Sequence, residues 1–281
     1  MTDGADTRVA VYLDFDNIVI SRYDQVNGRN SFQKDKAGGL SADKLKAATV
    51  DVGAIIDFAS SFGTLVLTRA YADWSTDMNA DYRGQLVGRA VDLVQLFPAA
   101  AYGKNGADIR LAVDVVEDMF RLPDLTHVVI VAGDSDYIAL AQRCKRLGRY
   151  VVGIGVAGSS SRALASACDE FVIYDALPGV PALEPVEKPA PQRGRKPKDE
   201  EPDPQDAATA LLSRALQIGL EKDDAEWLHN SAVKAQMKRM DPSFNEKSLG
   251  YKSFSDFLRA RARDDVVELD ESSTTRLVRL K

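Results

Sequence analysis

Cysteine is scarce: the 281 residues hold two, Cys144 and Cys168. Neither belongs to a CxxC pair or has a histidine close by. Both therefore read as reduced structural thiols rather than a zinc site or a disulfide framework. Long apolar runs are missing too. No stretch approaches about 18 consecutive apolar residues, so no membrane span is expected. The first residues, MTDGADTR, are acidic and polar and offer no apolar signal core, which makes the cytoplasm the expected compartment. Basic excess is absent, with a net charge of −6. Taken alone, that disfavours a nucleic-acid partner, because phosphate contacts need lysine and arginine. Glutamate is almost lacking in the first part of the chain, where residues 1–177 carry 21 aspartates against 2 glutamates. Short aspartates suit turns, caps and metal ligation better than they suit solvated helix faces.

What is present is ordinary for a soluble globular protein, with 45% hydrophobic and 28% charged residues. Charge is uneven along the chain. Residues 1–177 hold 18 basic and 23 acidic side chains, whereas residues 207–281 hold 13 and 12. Between Pro178 and Asp206 fall eight of the eleven prolines, in a segment otherwise mostly charged or small. Such a segment cannot bury enough apolar surface to offset its ordering entropy, and it reads as an extended, semi-stiff tether. The basic patch Arg193-Gly-Arg195-Lys196-Pro-Lys198 inside it is either solvated linker or a weak phosphate contact. The expected organisation is a domain over 1–177, a linker over 178–206 and a second domain over 207–281.

Strand and helix signals alternate in the first segment. Strands are expected at 9–13, 65–71, 91–97, 128–132, 151–156 and 171–174. Helices are expected from Ser41, as cap, to about Ser61, over 77–90, over 108–121 and over about 136–147. In the third of these, Ile109, Ala112, Val113 and Val116 share one side. Alternation with fully apolar strands implies a parallel sheet covered on both faces. Ligands of such sheets bind beyond the carboxyl ends of the strands.

Asp14 directly follows its strand, Asp134 and Asp136 follow theirs after Gly133, and Asp108 opens a helix after the turn Lys104-Asn-Gly106. These acids belong at one end of the sheet. Converging carboxylates repel, so such a cluster needs shared protons or a bound cation. Hard oxygen donors suit Mg²⁺ or Mn²⁺. A metal so held activates water and stabilises charge during attack on a phosphodiester. Asn17 can orient a bound water or hold a carboxylate without adding charge. Ser135 can offer a hydroxyl to a phosphate or to its own turn. Singly, Asp134 or Asp136 reads as a helix cap and Asp108 as a first-turn acid.

The strings Val11-Tyr-Leu-Asp14-Phe-Asp16-Asn17, Gly106-Ala-Asp108-Ile-Arg-Leu-Ala-Val-Asp114 and Val131-Ala-Gly-Asp134-Ser-Asp136-Tyr137 together resemble the signatures of NYN domains. Tyr71-Ala-Asp73-Trp74 and the segment from Gly158 to Phe171 also look familiar from that family. The resemblance covers roughly residues 8–176. It implies a PIN-like (Rossmannoid) α/β sandwich and a metal-dependent ribonuclease acting on single-stranded RNA. It assigns the metal to Asp14, Asp108, Asp134 and Asp136, with Asn17 in support. Many members carry a lysine where Asn105 stands, and Lys104 is the substitute. Supporting or substrate-binding candidates are Asp16, Asp73, Asp114, Ser161 and Arg162. Trp74 is either a base-stacking residue or core, and Ser161 either a phosphate contact or a helix cap.

Residues 207–281 read as helices at 208–220, 228–240 and 253–262 with a closing hairpin, a winged-helix plan. Trp227-Leu-His-Asn-Ser-Ala-Val-Lys and Leu249-Gly-Tyr-Lys-Ser-Phe-Ser-Asp-Phe-Leu resemble the LOTUS (OST-HTH) domain. That resemblance implies binding of structured or G-rich RNA, and a protein partner through the same module is a further expectation. Lys234, Lys238, Arg239, Lys247 and Lys252 are the candidate contacts, with Arg259, Arg261 and Arg263 at the next helix end. His229 reads as a helix-surface residue. Two other functions stay open. One is a noncatalytic RNA-binding adaptor. The other is a phosphatase similar to the haloacid dehalogenases, for which Asp14-Phe-Asp16 would be nucleophile and acid. It also needs a hydroxyl residue after a middle strand, where Thr68 lies inside its strand, and a phosphate-binding lysine, for which Lys104 is a loose candidate, and it leaves Asp108 unexplained.

Overall fold

A computed structural model describes residues 7–97, 106–181, 203–223, 225–270 and 276–281. Its contacts fall into two compact units, Met1–Leu183 and Glu184–Lys281. Lys104, Asn105 and the basic patch at 193–198 lie outside the described residues.

The first unit begins with strand β1 (Arg8–Asp14), followed by helices α1 (Phe15–Asn27), α2 (Ser31–Lys36), α3 (Ala42–Ala47) and α4 (Val52–Ser60). Strand β2 (Thr64–Ala72), helices α5 (Asp77–Ala80) and α6 (Arg83–Val87), strand β3 (Asp92–Gln95) and helix α7 (Ala107–Arg121) come next. The unit closes with β4 (His127–Val131), α8 (Ile138–Arg146), β5 (Tyr150–Gly155), α9 (Arg162–Ala167) and β6 (Glu170–Ile173). All six strands pair in parallel in the order β3-β2-β1-β4-β5-β6.

Each strand divides its side chains by period two. Val9, Val11, Leu13, Val129, Val131, Val152 and Ile154 join one core with Ile55 of α4 and Leu86 of α6. Ala10, Tyr12, Val128, Ile130 and Val151 join the other with Leu111, Val115 and Met119 of α7 and Leu140 of α8. Every fully buried side chain of this kind stabilises by about 1.5–3 kcal/mol. The sheet is therefore covered on both faces, as its apolar strands imply. Arg22 of α1, 4% exposed, donates to Gln25 Oε1 at 2.7 Å and to Asp175, which fastens α1 to the segment after β6.

The helices differ from expectation in several places, and the expected 77–90 helix is two short ones, α5 and α6. Helix α1 starts at once after Asp14, where none was anticipated, because Asp14 itself caps it by accepting from Asn17 N. The expected 41–61 helix breaks into α3 and α4, since Asp51 re-caps the chain by accepting from Ala54 N at 3.0 Å, whereas Ser41 makes no side-chain cap bond. Helix α7 turns a different side inward. Its buried residues are Ala107, Leu111, Asp114, Val115, Asp118 and Met119, while Ile109, Val113 and Phe120 are 68%, 57% and 72% exposed.

The second unit is α10 (Pro204–Asp223), β7 (Leu228–His229), α11 (Asn230–Met240), α12 (Phe254–Arg263), β8 (Val267–Asp270) and β9 (Leu277–Leu280). Its three antiparallel strands lie in the order β7-β9-β8, a winged-helix arrangement. Leu212, Leu216, Val233, Met237, Phe257 and Leu258 form its core. No described helix is long and apolar enough to cross a membrane.

Candidate active site

Strand order reverses between β1 and β4, so the connections leaving these two strands part to opposite faces and open a crevice at their carboxyl ends. Asp14 is the last residue of β1 and is 6% exposed. Its Oδ1 accepts from Asn17 N at 3.2 Å, and its Oδ2 accepts from the Tyr137 hydroxyl at 2.7 Å. Tyr137 follows the turn after β4 and is 1% exposed. The Asn17 side chain crosses the same gap, its Oδ1 accepting from Gly133 N at 3.1 Å. Two hydrogen bonds thus sew the end of β1 to the turn after β4.

Burial pushes the Asp14 carboxyl up to about 6, and the charges of Asp16 and Asp108 push in the same direction against the Tyr137 and Asn17 hydrogen bonds. The Tyr137 hydroxyl is driven well above the usual phenol range by burial, by Asp14 and by the charges of Asp108 and Asp134. Asp14, Asp108 and Asp134 therefore bear on one hydroxyl. Among the described residues no lysine or arginine pairs with Asp14. Asp108 stands in the first turn of α7, whose preceding Gly106 adopts φ +60°, a left-handed conformation natural to glycine. Asp134, Ser135 and Asp136 are exposed. Asp134 caps their turn, accepting from Asp136 N at 3.4 Å and from Ser135 Oγ at 3.3 Å.

A family model described as the NYN domain matches residues 8–175. The chain belongs to the NYN domain family. NYN domains are nucleases, hydrolases of phosphodiester bonds. A second model, the OST-HTH/LOTUS domain, matches residues 202–279, and LOTUS domains bind RNA. An uncharacterised protein of Methanocaldococcus jannaschii is 26% identical over 127 residues, 45% of this chain and 49% of that protein. The chain thus spans about half the length of this curated relative. A solved structure of a protein of unknown function from Vibrio parahaemolyticus is similar at 20% identity and a TM-score of 0.44, covering 62% of this chain and 96% of the other.

Several candidate residues of the NYN domain are engaged by partners within the chain. Asp16 accepts from Asn79 Nδ2 at 2.6 Å and from Asp73 N at 3.3 Å, which braces the loop after β2. Asp73 accepts from Ser75 and from Gln95 Nε2, and these bonds hold its carboxyl below the usual range. Trp74 is 5% exposed, packs 5.3 Å from Phe15 and donates from Nε1 to Val94 O at 3.0 Å. Its ring is core and presents no face to a base. Asp114 is 8% exposed and engaged within the chain. It accepts from the Tyr71 hydroxyl at 3.0 Å and from Arg110 Nε at 2.9 Å.

Asp118, one turn on, accepts from the Tyr12 hydroxyl at 3.1 Å and pairs with Arg69. Together these aspartates fix α7 on the sheet and so set where Asp108 stands. Ser161 caps α9 by accepting from Leu164 N, and its own N–H donates to Gly133 O at 2.9 Å. The loop lies tight on β5, since a Cβ at Gly155 would come within 2.1 Å of Ser160 Oγ. Arg162 is exposed at the first position of α9. Thr68 is buried inside β2, away from the strand end where a phosphatase of the dehalogenase type needs its hydroxyl. Burial pushes both Cys144 and Cys168 up to about 12, which keeps them as inert thiols.

Sequence reasoning passed over Tyr137 and the Tyr71 and Tyr12 hydroxyls. The signal for the first was its place directly after Asp136, and none marked the other two.

In the OST-HTH/LOTUS domain, Lys247, Lys252 and Arg239 are exposed, and Lys238 is half-buried on α11. Lys234 is engaged internally, donating to the buried Glu246 at 2.7 Å and lying 5.7 Å from the Phe254 ring centre. Arg261 is 9% exposed and donates to Thr209, Gln205 and Tyr251. It is a core anchor, not the surface cation suggested by its neighbours Arg259 and Arg263.

Proposed function

We propose that this protein is a Mg²⁺- or Mn²⁺-dependent ribonuclease that cleaves single-stranded RNA at the crevice between β1 and β4. Its second domain would hold the RNA through a tether at 178–206. The observation that carries the reading is the buried Asp14, which shares the Tyr137 hydroxyl's surroundings with Asp108 and Asp134 and lacks a cationic partner among the described residues.

A metal fits this donor set. Among the described residues no three metal-ligating side chains stand close enough to hold one ion by themselves. Mg²⁺ does not require three, since it commonly takes one or two carboxylates and completes its octahedron with waters and substrate phosphate oxygens. Asp14, Asp108, Asp134 and Asp136 would hold it, directly or through water. When bound, such an ion activates water and offsets charge building on the phosphate.

The chain's own groups do the positioning. Tyr137 and Asn17 N fix both oxygens of Asp14. Asn17 Oδ1 pins Gly133, so the Asp134–Asp136 turn keeps its distance from β1. The exposed Lys247 and Lys252, with Lys238 and Arg239, would contact RNA phosphates in the second domain.

The test is cleavage of labelled single-stranded RNA with Mg²⁺ or Mn²⁺ by the full chain and by Asp134→Asn. Loss of cleavage in the variant supports the reading. Equal cleavage by both removes it. No cleavage by either, with RNA retained and retention weakened by Lys247→Glu with Lys252→Glu, makes the protein an adaptor. Phosphate release from small phosphomonoesters would make it a phosphatase.

A further inference from the structure

Helix α7 is apolar on two sides. Its sheet-facing side buries Leu111, Val115 and Met119 beside two aspartates, and its outer side carries a second apolar stripe. At 100° per residue, Ile109, Val113, Val116 and Phe120 fall within an arc of about 60°. Their spacing of four, three and four residues is the a/d spacing of a helix–helix seam. Ile109, Val113 and Phe120 are 68%, 57% and 72% exposed, and Val116 is half-buried at the foot of the stripe. Such a face is normally polar on a surface helix of a globular protein. The stripe exposes on the order of 400 Å² of apolar surface, a size at which patches on monomers are often functional.

We infer that this face pairs with the same face of a second copy, the two α7 helices running antiparallel about a two-fold axis near residues 114–115. The stripe is self-complementary in that direction, because its spacing of four, three and four residues reads the same from either end. Antiparallel pairing sets Ile109 against Phe120 of the second copy and Val113 against Val116, so bulky ends meet and the smaller valines close the centre.

Charge agrees with this register. Arg110 and Glu117 lie on the same flank of the seam, both largely exposed, and Arg110 holds its own Asp114 through Nε, which leaves its terminal nitrogens for a second carboxylate. A two-fold axis keeps like flanks on the same side, which brings each Arg110 within about 3 Å, measured along the axis, of Glu117 of the other copy. In a parallel pair the two-fold would run along the helices and put like flanks on opposite sides, so Arg110 and Glu117 would face the flank of Ala112 and Met119 instead. Arg121 lies farther round the helix and keeps its own Glu117, 3.6 Å away.

Two copies of the stripe bury about 800 Å² in total, which is at the low end for protein interfaces and fits a reversible dimer. Its Kd is expected on the order of 10 µM.

Sedimentation of the full chain over about 1–200 µM checks this. The wild type is expected to move from monomer to dimer, and Phe120→Glu to remain monomeric with an unchanged circular-dichroism spectrum and melting curve. Phe120 stands about 18 Å along the helix from Asp108, so that variant keeps clear of the crevice. A wild type that stays monomeric throughout, or a Phe120→Glu protein that dimerises like it, overturns the inference.

Orientation is read by oxidative cross-linking of Ile109→Cys and Phe120→Cys proteins, against a silent background because Cys144 and Cys168 are buried. Disulfides are expected when the two variants are mixed and not within either alone, since 109 and its own copy lie about 16 Å apart in the antiparallel pair. Cross-linking of Ile109→Cys to itself as readily as in the mixture overturns the antiparallel arrangement.

Discussion

Two places in the NYN domain bury a carboxylate against a tyrosine hydroxyl, and they differ in what else stands near. Under α7, Asp118 accepts from Tyr12 and also pairs with Arg69. Asp114 beside it accepts from Tyr71 and from Arg110. In the crevice, Asp14 accepts from Tyr137 but has Asp16 and Asp108 for electrostatic neighbours. The first arrangement is closed, because each negative charge meets a positive one within the chain. The second is open, and its charge is left for something outside the chain to balance. The difference teaches that a buried acid is informative through its company rather than its burial.

The largest effect that would sharpen this contrast is expected from Asp118→Asn. It keeps an acceptor for Tyr12 but strands Arg69, and breaking such a buried pair should cost about 3 kcal/mol in denaturant unfolding. A cost under about 1 kcal/mol would dissolve the distinction.

Asp14→Asn should do the reverse. In metal-free protein at pH 7 it removes a desolvated charge and keeps an acceptor for Tyr137, so it should stabilise by about 2–3 kcal/mol while abolishing RNA cleavage. The sign follows from a folded carboxyl raised to about 6 from 3.8. The native state holds its proton longer than the unfolded chain does. The metal-free wild type therefore loses stability as pH rises from about 4 to about 6, and the variant's advantage grows over that window. An Asp14→Asn protein less stable than wild type at pH 7 would contradict the open reading.

Glu246 in the second domain should show the opposite slope. Burial pushes its carboxyl up, but the hydrogen bond and charge of Lys234 outweigh burial and hold it below the usual value. A lowered carboxyl contributes stability above the unfolded range and loses it as pH falls through the folded value. The wild-type advantage over Glu246→Gln should be about 1 kcal/mol at pH 7 and vanish towards pH 3, as followed by thermal unfolding of this domain. The smallest effect is expected from Ser161→Ala, which loses the α9 cap for about 0.5–1 kcal/mol and leaves RNA cleavage unchanged. A large fall in cleavage would return Ser161 to the substrate.

Much of this was legible in the chain. All six parallel strands and the winged-helix plan follow from local patterning, and Asp14, Asp108 and Asp134 are marked by standing just after strands or before a helix. Asp114 shows where legibility stops. It closes a family signature, yet its partner Tyr71 is 43 residues away and its other bond goes to Arg110 on its own helix. Trp74 and Arg261 likewise carry binding chemistry by residue type, and only burial removes them from the surface. For α7, the apolar residues Ile109, Ala112, Val113 and Val116 mark one side, but the aspartates that win the inner side do so because tyrosines and Arg69 wait on the sheet.

By itself, then, the sequence determined the family, the alternation of strand and helix, and the acids at the ends of β1 and β4, because these depend on residue type and on spacing within a few turns of chain. Only the tertiary structure decided which acids are closed and which stay open, and which face of α7 looks outward. Those outcomes depend on contacts such as Tyr137 to Asp14 and Tyr12 to Asp118, across 123 and 106 residues. The register of distant elements sets such contacts, and no local pattern encodes it.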